Sequence, residues 1–314
     1  MLAILNVTAP FFALVLCGFL AARYRTLPEN AVPALNIFVL YFALPCMLFR
    51  FAAGAPFHDI LNLPVFLAYM VTGLAVLALS AAAAHFAAGE NVREAAFAAL
   101  AVAWSNWGYM GIPLIPALLG QTALAALFAA GMADLLVVIS AALALASLED
   151  RTGGVRAALA GAIIHIARNP LIWAVIVGCA FSALELRLPV AMDQFVRLLG
   201  QAAGPVALFT IGVSLYRPGT RTKGADVLAI AGAKLLLHPA FAALVAVYAF
   251  HLTRLEVQTL VLAAALPVGG SVFLFAERQG ANAERIAAVI LVSTALAFVT
   301  FSALCWTLGI QMVG

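Results

Sequence analysis

Charged residues are scarce in this sequence. Only 9% of its 314 residues are Asp, Glu, Lys or Arg, whereas about a quarter are charged in soluble domains. The hydrophobic fraction is 66% and the mean hydropathy is +1.13, which is more apolar surface than a soluble core of this length could bury. The sequence therefore predicts a polytopic membrane protein. Its 16 Lys and Arg residues form no basic run, so nucleic-acid binding is excluded.

The motifs of metal, disulfide and nucleotide chemistry are also absent. No CxxC spacing joins the four cysteines, no HExxH spacing joins the five histidines, and no GxxxxGK[ST] string occurs. We therefore expect no metal, no disulfide, no cofactor and no ATP-driven step in this chain. Each cysteine lies in an apolar segment, where small packing residues are expected: Cys17, Cys46, Cys179 and Cys305.

Ten apolar segments of roughly 20 residues predict ten transmembrane helices in an all-α protein. The predicted spans cover roughly residues 3–22, 31–52, 64–86, 95–119, 122–147, 169–185, 191–215, 225–249, 256–276 and 284–311. Short polar connections separate them, so residues 1–314 are expected to form a single membrane domain. Residues 155–168 (VRAALAGAIIHIAR) have the pattern of an amphipathic helix lying along the interface.

The distribution of basic residues predicts the orientation, because cytoplasmic loops carry an excess of Lys and Arg. Eleven of the 16 belong to the loops after the odd-numbered spans, at most four belong to the opposite side, and the remaining one, Lys234, falls inside span 8. This bias places both termini on the non-cytoplasmic side. The eleven are Arg23, Arg25, Arg93, Arg151, Arg156, Arg168, Arg217, Arg221, Lys223, Arg278 and Arg285, and the four are Arg50, Arg187, Arg197 and Arg254.

The two halves of the chain resemble each other. Residues 42–49 (FALPCMLF) and 202–209 (AAGPVALF) share a central proline, and the next broken spans contain Pro113 and Pro267. Five spans lie in each half, and an odd number forces the second repeat to be inverted relative to the first. Inverted repeats with one broken helix each are typical of secondary transporters. The division is repeat 1 over 1–147, a cytoplasmic loop with the interfacial helix over 148–168, and repeat 2 over 169–314.

The fourth span is interrupted by residues 104–113, WSNWGYMGIP. Glycine and proline weaken a helix there. We expect one half-helix over Glu94–Ser105, an unwound stretch over Asn106–Ile112 and a second half-helix from Pro113. Freed backbone groups are costly in lipid unless protein or a water-filled cavity satisfies them. The break therefore suggests a function, although an ordinary kink tightened by small residues is the alternative.

The ninth span has a corresponding break in LAAALPVGGSVFLF. If both unwound segments cross near the middle of the membrane, the second half-helices point their free N–H groups and positive dipole ends at an anion. Asn106, Tyr109 and Ser271 would add side-chain donors. The candidate substrate-binding residues are Asn106, Gly108, Tyr109, Gly111, Pro113, Pro267, Gly269, Gly270 and Ser271.

Asp134 lies in the middle of the fifth predicted span, and Lys234 lies early in the eighth. Charges at membrane depth are functional candidates. Asp134 could carry a coupling proton, could be a fixed partner of Lys234, or could donate a hydrogen bond to a neighbouring helix. Lys234 lies too deep to reach the interface easily and could supply positive charge near the anion. His238 precedes Pro239, where a hydrogen bond at a kink is expected.

Several strings together resemble the auxin efflux carrier family, particularly its bacterial members that carry malonate or other organic acids. They are NWGYMGIP in span 4, LP in span 2, GPVALFTIGVSL in span 7 and KLLLHP in span 8. The resemblance extends over essentially all of residues 1–314. It implies two inverted five-span repeats, a scaffold and a transport subdomain, broken spans 4 and 9 that cross, and a bacterial inner membrane location.

The resemblance also implies a substrate class, namely organic anions that carry a carboxylate. In the family an Asn beside the crossover proline contacts that carboxylate, and Asn106 is the matching position. The second repeat departs from the pattern, because Gly269, Gly270 and Ser271 follow Pro267 without an Asn. Ser271 is the nearest substitute.

The sequence thus predicts a secondary transporter of small carboxylates, malonate-like, other dicarboxylate or auxin-like, rather than an enzyme. An organic-anion channel or uniporter is one alternative. An intramembrane hydrolase using Ser271 and His238 is another, although no GxSxG motif supports it. The acid, the direction of transport, coupling to a proton or sodium, and the formation of a homodimer stay open.

Overall fold

A computed structural model describes residues 2–28, 31–54, 62–149, 170–216 and 224–310. Within those ranges the chain is helical and contains no strand, which confirms the all-α class. Helix lies on each of the ten apolar segments. The helices are α1 Leu2–Arg23, α2 Ala31–Gly54, α3 Leu63–Ala87, α4 Val92–Ala103, α5 Trp107–Leu119, α6 Ala123–Ser147, α7 Pro170–Ala183, α8 Val190–Leu215, α9 Gly224–Ala249, α10 Arg254–Ala265, α11 Ser271–Arg278 and α12 Ala283–Thr307.

Six of these helices are long and apolar enough to cross a membrane by themselves: α2, α3, α6, α8, α9 and α12. Three shorter apolar helices occupy Ala13–Arg23, Trp107–Leu119 and Pro170–Ala183. The chain is therefore a multi-pass membrane protein. The number of ten crossings and the inverted relation of the two halves stay predictions. The interfacial helix expected at residues 155–168 lies outside the described residues.

The polar residues between the apolar segments act as helix N-caps. Asn62, Asn91 and Asn282 each accept a hydrogen bond from a backbone N–H in the first turn of the following helix. Thr253 and Glu256 form a reciprocal capping box at the start of α10. These side chains satisfy backbone donors that would otherwise be left unpaired where each helix begins.

Three helices widen into a π-turn that ends two residues before a proline. The π-turns are Val39–Ala43, Trp107–Gly111 and Ala233–Leu237, and the prolines are Pro45, Pro113 and Pro239. A proline in a regular helix clashes with the carbonyl one turn earlier and removes a hydrogen bond. Widening the preceding turn accommodates both effects without ending the helix. Pro205, in contrast, lies inside the continuous helix α8.

The helices pack in two groups. The first helix group is α1, α2, α7 and α8, and the second is α3, α4, α6, α9, α10 and α12, with α5 and α11 continuing α4 and α10. Reciprocal glycines join α1 to α8, since a Cβ at Gly18 would overlap the Phe209 carbonyl and one at Gly212 would overlap the Val15 carbonyl. Such backbone-to-backbone contact is characteristic of membrane helices. It makes the first group a tightly joined unit.

The break in the fourth apolar segment is shorter than predicted. The expected half-helix over Glu94–Ser105 ends at Ala103, and only residues 104–106 are non-helical. Helix resumes at Trp107 as a π-turn, so the unwound stretch predicted over Asn106–Ile112 is wrong. The physical reason is that the π-turn takes up Gly108 and Gly111 while remaining hydrogen-bonded. The corresponding break between α10 and α11 spans residues 266–270.

Candidate functional site

The two breaks meet each other inside the protein. Ser105 and Val268 form an antiparallel bridge, in which the Asn106 N–H donates to the Pro267 carbonyl at 3.0 Å and the Gly269 N–H donates to the Trp104 carbonyl at 3.5 Å. The helices leading into this contact are buried, with residues 95–103 and 259–265 almost fully enclosed. These two hydrogen bonds therefore satisfy part of the backbone that the breaks free, as a break at membrane depth requires.

Two tryptophans fix the geometry of the first break. An ideal Cβ on Gly269 would lie 2.6 Å from the Trp104 ring, and one on Gly131 of α6 would lie 2.5 Å from the Trp107 ring. Each indole is thus packed flush against a glycine. Asn106 lies between these two anchored residues, so its position is set by packing on both sides.

An open cavity of about 630 Å³ lies between the two helix groups and against the two breaks. Four leucines from α2 and α7 form one wall: Leu40, Leu44, Leu48 and Leu171. The opposite wall consists of residues 104–109 and 269–271, with Leu135 and Phe275 beside them. In its described lining the cavity is therefore polar along the breaks and apolar along the first helix group.

Six of the nine candidate substrate-binding residues line this cavity: Asn106, Gly108, Tyr109, Gly269, Gly270 and Ser271. The other three shape the break without lining it. The Pro267 carbonyl accepts the bond from Asn106, Gly111 packs against Leu266, and Pro113 packs against Gly204 of α8.

The helices α5 and α11 both begin at the cavity. The first backbone N–H groups of a helix have no partner within it and carry partial positive charge. Trp107 begins α5, Ser271 begins α11, and both residues line the cavity. Asn106 is only 4% exposed, and no described residue forms a hydrogen bond with its amide. These unpaired donors suit an anion such as a carboxylate.

A buried polar cluster lies directly behind the breaks. Lys234 Nζ donates to Ser105 Oγ at 2.7 Å and to His238 Nδ1 at 2.7 Å. The Tyr69 hydroxyl is 3.2 Å from the same Ser105 oxygen, and its ring lies 5.7 Å from the His238 ring. Asp134 interacts electrostatically with Lys234 and lies beside the Ser105 backbone, but no described side chain donates a hydrogen bond to its carboxylate. Asp134 and Lys234 do not line the cavity.

Ser105 is the site residue that the sequence reasoning missed. Its side chain belongs to the polar cluster, its backbone forms the bridge between the breaks, and it lines the cavity. The available signal was its place directly before Asn106 in WSNWGYMGIP. Serine is common in helix-packing contacts of membrane proteins, so that signal alone could not distinguish a site residue from a packing residue.

His238 has more contacts than the hydrogen bond expected for it at a kink. The residue does precede Pro239 and forms a hydrogen bond with the Val102 backbone, and its ring also contacts Lys234 and Tyr69. No hydrogen bond among the described residues joins His238 to Ser271, so the hydrolase alternative lacks its dyad. Within the described ranges, the His, Cys, Asp and Glu residues form no group of three that could hold a metal ion.

The chain is similar in sequence to known membrane transport proteins. Residues 3–305 match a family described as "membrane transport protein". A protein of Rhizobium meliloti named "putative malonate transporter" is 33% identical over 309 residues, which is 98% of this chain and 96% of that protein. The "uncharacterized transporter YfdV" of Escherichia coli is 26% identical over 272 residues, 86% of each chain. The mouse "lysosomal cholesterol signaling protein" is 24% identical over 243 residues, 73% of this chain and 28% of that protein.

Proposed function

This chain belongs to the membrane transport protein family, the auxin efflux carriers that its sequence resembles, and from that premise we propose that it is a secondary carrier of small organic carboxylates. It is a transporter and not an enzyme. The observation that carries the substrate class is the meeting of the two breaks at one cavity, where two helix starts and the unpaired Asn106 amide face the same space.

In the proposed complex the carboxylate lies against the polar wall. The N–H groups at the starts of α5 and α11 and the Asn106 amide donate to its oxygens, with Tyr109 and Ser271 beside them. The rest of the substrate lies on Leu40, Leu44, Leu48 and Leu171. Because that wall is apolar, we expect one carboxylate to be held at the breaks and the carbon skeleton to face the leucines.

Transport would follow from movement of the second helix group against the first. The leucine wall offers no hydrogen bond that would have to break when the polar wall slides past it. Moving one charge through 100 mV is worth about 2.3 kcal/mol, so export of an anion from a negative cytoplasm is favourable without coupling. Uptake would need a cation to accompany the anion.

The architecture proposed for this carrier is two inverted five-helix repeats, residues 1–147 and 169–314, in the bacterial inner membrane. Helix on all ten apolar segments and one break in each half support it. The excess of Lys and Arg after the odd-numbered spans supports placing both termini on the non-cytoplasmic side.

The experiment is uptake by proteoliposomes of labelled malonate, chosen because a 33% identical relative bears that name. Unlabelled monocarboxylates and dicarboxylates compete under imposed pH, Na⁺ and voltage gradients. We expect saturable uptake that carboxylates inhibit. If no carboxylate is transported or competes, the proposed substrate class is wrong.

Asn106→Ala tests the site within that assay. We expect loss of substrate binding with unchanged thermal stability of the substrate-free protein, because no described residue depends on the amide for a hydrogen bond. Asn106→Asp keeps the size of the side chain and adds a negative charge, so it should also lose binding. Wild-type affinity in Asn106→Ala would remove this residue from the site.

A further inference from the structure

Five polar residues behind the breaks form a closed cluster whose role the carboxylate site does not explain. Ser105 and Tyr69 are each 1% exposed, and Asp134, Lys234 and His238 are 0% exposed. They come from the first break and from α3, α6 and α9. Ionisable side chains at such depth are costly and mark ion or proton pathways. We propose that this cluster binds one proton, held on Asp134, that is exchanged together with the anion; the proposal rests on the carrier function above.

The hydrogen bonds within the cluster leave Asp134 available. Lys234 donates to Ser105 and to His238 Nδ1, so the neutral His238 ring carries its hydrogen on Nε2, and the Val102 backbone is the other hydrogen-bonding neighbour of this ring. No described side chain donates to either oxygen of Asp134, and the Ser105 backbone lies beside this carboxylate. The carboxylate is attracted by the Lys234 ammonium in one protonation state, and the carboxylic acid removes the buried negative charge in the other.

The occupancy of the cluster favours a proton over a metal cation. The Lys234 ammonium already lies within hydrogen-bond distance of Ser105 Oγ and would repel a second cation there. The other groups facing Asp134 are Tyr69, whose hydroxyl is shared with Ser105, and the Ser105 backbone. No arrangement of several oxygen ligands is therefore free to hold Na⁺ among the residues described.

The charge of the cluster couples the proton to the anion. Ser105 lies between the two, because it accepts a hydrogen bond from Lys234 and also lines the cavity. With Lys234 protonated and Asp134 ionised, the cluster is neutral. Formation of an O–H bond on Asp134 leaves a net charge of +1 behind the wall against which the carboxylate lies. The positive cluster attracts the anion, and the anion favours the protonated cluster, because such coupling is reciprocal. For a substrate bound as a monoanion the pair then moves no net charge, whereas a dianion still carries one negative charge across. The O–H bond breaks when both are released on the other side.

The first test is equilibrium binding of malonate to the purified protein in nanodiscs at a series of pH values. One coupled proton weakens apparent affinity by about tenfold for each pH unit above the range in which Asp134 holds its proton. Asp134→Asn imitates the protonated acid, so it should bind malonate with the low-pH affinity of the wild type at every pH. Asp193→Asn, in the first turn of α8, is the control: its partly exposed carboxylate pairs with Arg50, and the variant should keep the wild-type slope. Titration of malonate itself is common to both proteins, so the difference between their slopes reports Asp134. A slope in Asp134→Asn equal to that of the wild type overturns the proposal.

A second measurement needs no substrate. The infrared carbonyl band of a protonated carboxylic acid, in the difference between wild type and Asp134→Asn, should be present at low pH and disappear as pH rises. A difference spectrum that shows no titrating band overturns the proton site even if malonate is transported. A titrating band in a protein that binds no carboxylate overturns the proposed substrate and supports the proton site. The two failures are therefore distinguishable.

Discussion

Replacement of Gly269 by alanine tests how tightly the two breaks are joined. The added Cβ would lie 2.6 Å from Cδ1 and Nε1 of the Trp104 ring and 3.2 Å from the Ser105 carbonyl oxygen. The ring is only 7% exposed, so it has little space into which to move. The Ser105 backbone is held by the bridge to the second break. Either the indole or the bridge must shift.

The expected magnitude follows from overpacking in a filled core, which costs about 1–3 kcal/mol. A shift of the bridge would also displace Ser105 and Asn106 relative to the cavity, and each 1.4 kcal/mol of lost binding energy weakens affinity by about tenfold. We therefore expect Gly269→Ala to lower the unfolding temperature and to weaken substrate binding by at least about tenfold.

The neighbouring residue supplies a matched control. An ideal Cβ on Gly270 meets nothing within 4 Å, and its backbone φ of −59° is helical. Gly270→Ala should therefore leave stability unchanged or raise it by about 0.4–1 kcal/mol, since alanine restricts the unfolded chain. The assay is thermal unfolding of both variants in one detergent. Equal unfolding temperatures for the two variants would refute the reasoning.

Two further substitutions test the contacts that hold the helices together. Gly212→Ala should separate α1 from α8 and lower the unfolding temperature, because its Cβ overlaps the Val15 carbonyl, whereas Gly232→Ala in α9 meets nothing within 4 Å and should not. Arg285 donates to Glu90 at 2.9 and 2.5 Å and to Asp226 at 2.9 Å, so Arg285→Gln leaves two carboxylates without their cation. We expect a loss of about 3 kcal/mol in denaturant unfolding. Arg197→Gln, on the exposed face of α8, should cost little, and equal losses would contradict the importance of the pairing.

Hydrophobic length and composition were sufficient to predict the helical segments. Residues 31–52 and 122–147, for example, were expected as spans, and helices occupy Ala31–Gly54 and Ala123–Ser147. The prolines and glycines also predicted where the two breaks lie. The backbone conformation of the breaks was harder to predict. A π-turn and an unwound segment both accommodate Pro113 with Gly108 and Gly111, and the choice depends on packing of Trp107 against Gly131 of α6.

The polar cluster shows where local sequence stops being informative. Asp134 and Lys234 were identified as candidates because charge is rare at membrane depth. Ser105, Tyr69 and His238 became part of the same cluster only because four elements converge behind the breaks. Contacts between residues as far apart as Ser105 and Lys234 depend on tertiary packing, which no pattern within either helix specifies.

Counterflow in proteoliposomes tests the central claim most directly. Liposomes are preloaded with unlabelled malonate, or with the strongest competitor from the carboxylate panel, and the influx of the labelled compound is compared with influx into empty liposomes. A carrier that exposes the cavity at the two breaks alternately predicts faster, saturable influx after preloading, and no such acceleration in Asn106→Ala. Influx that does not saturate and is unaffected by preloading would indicate a channel and contradict the account.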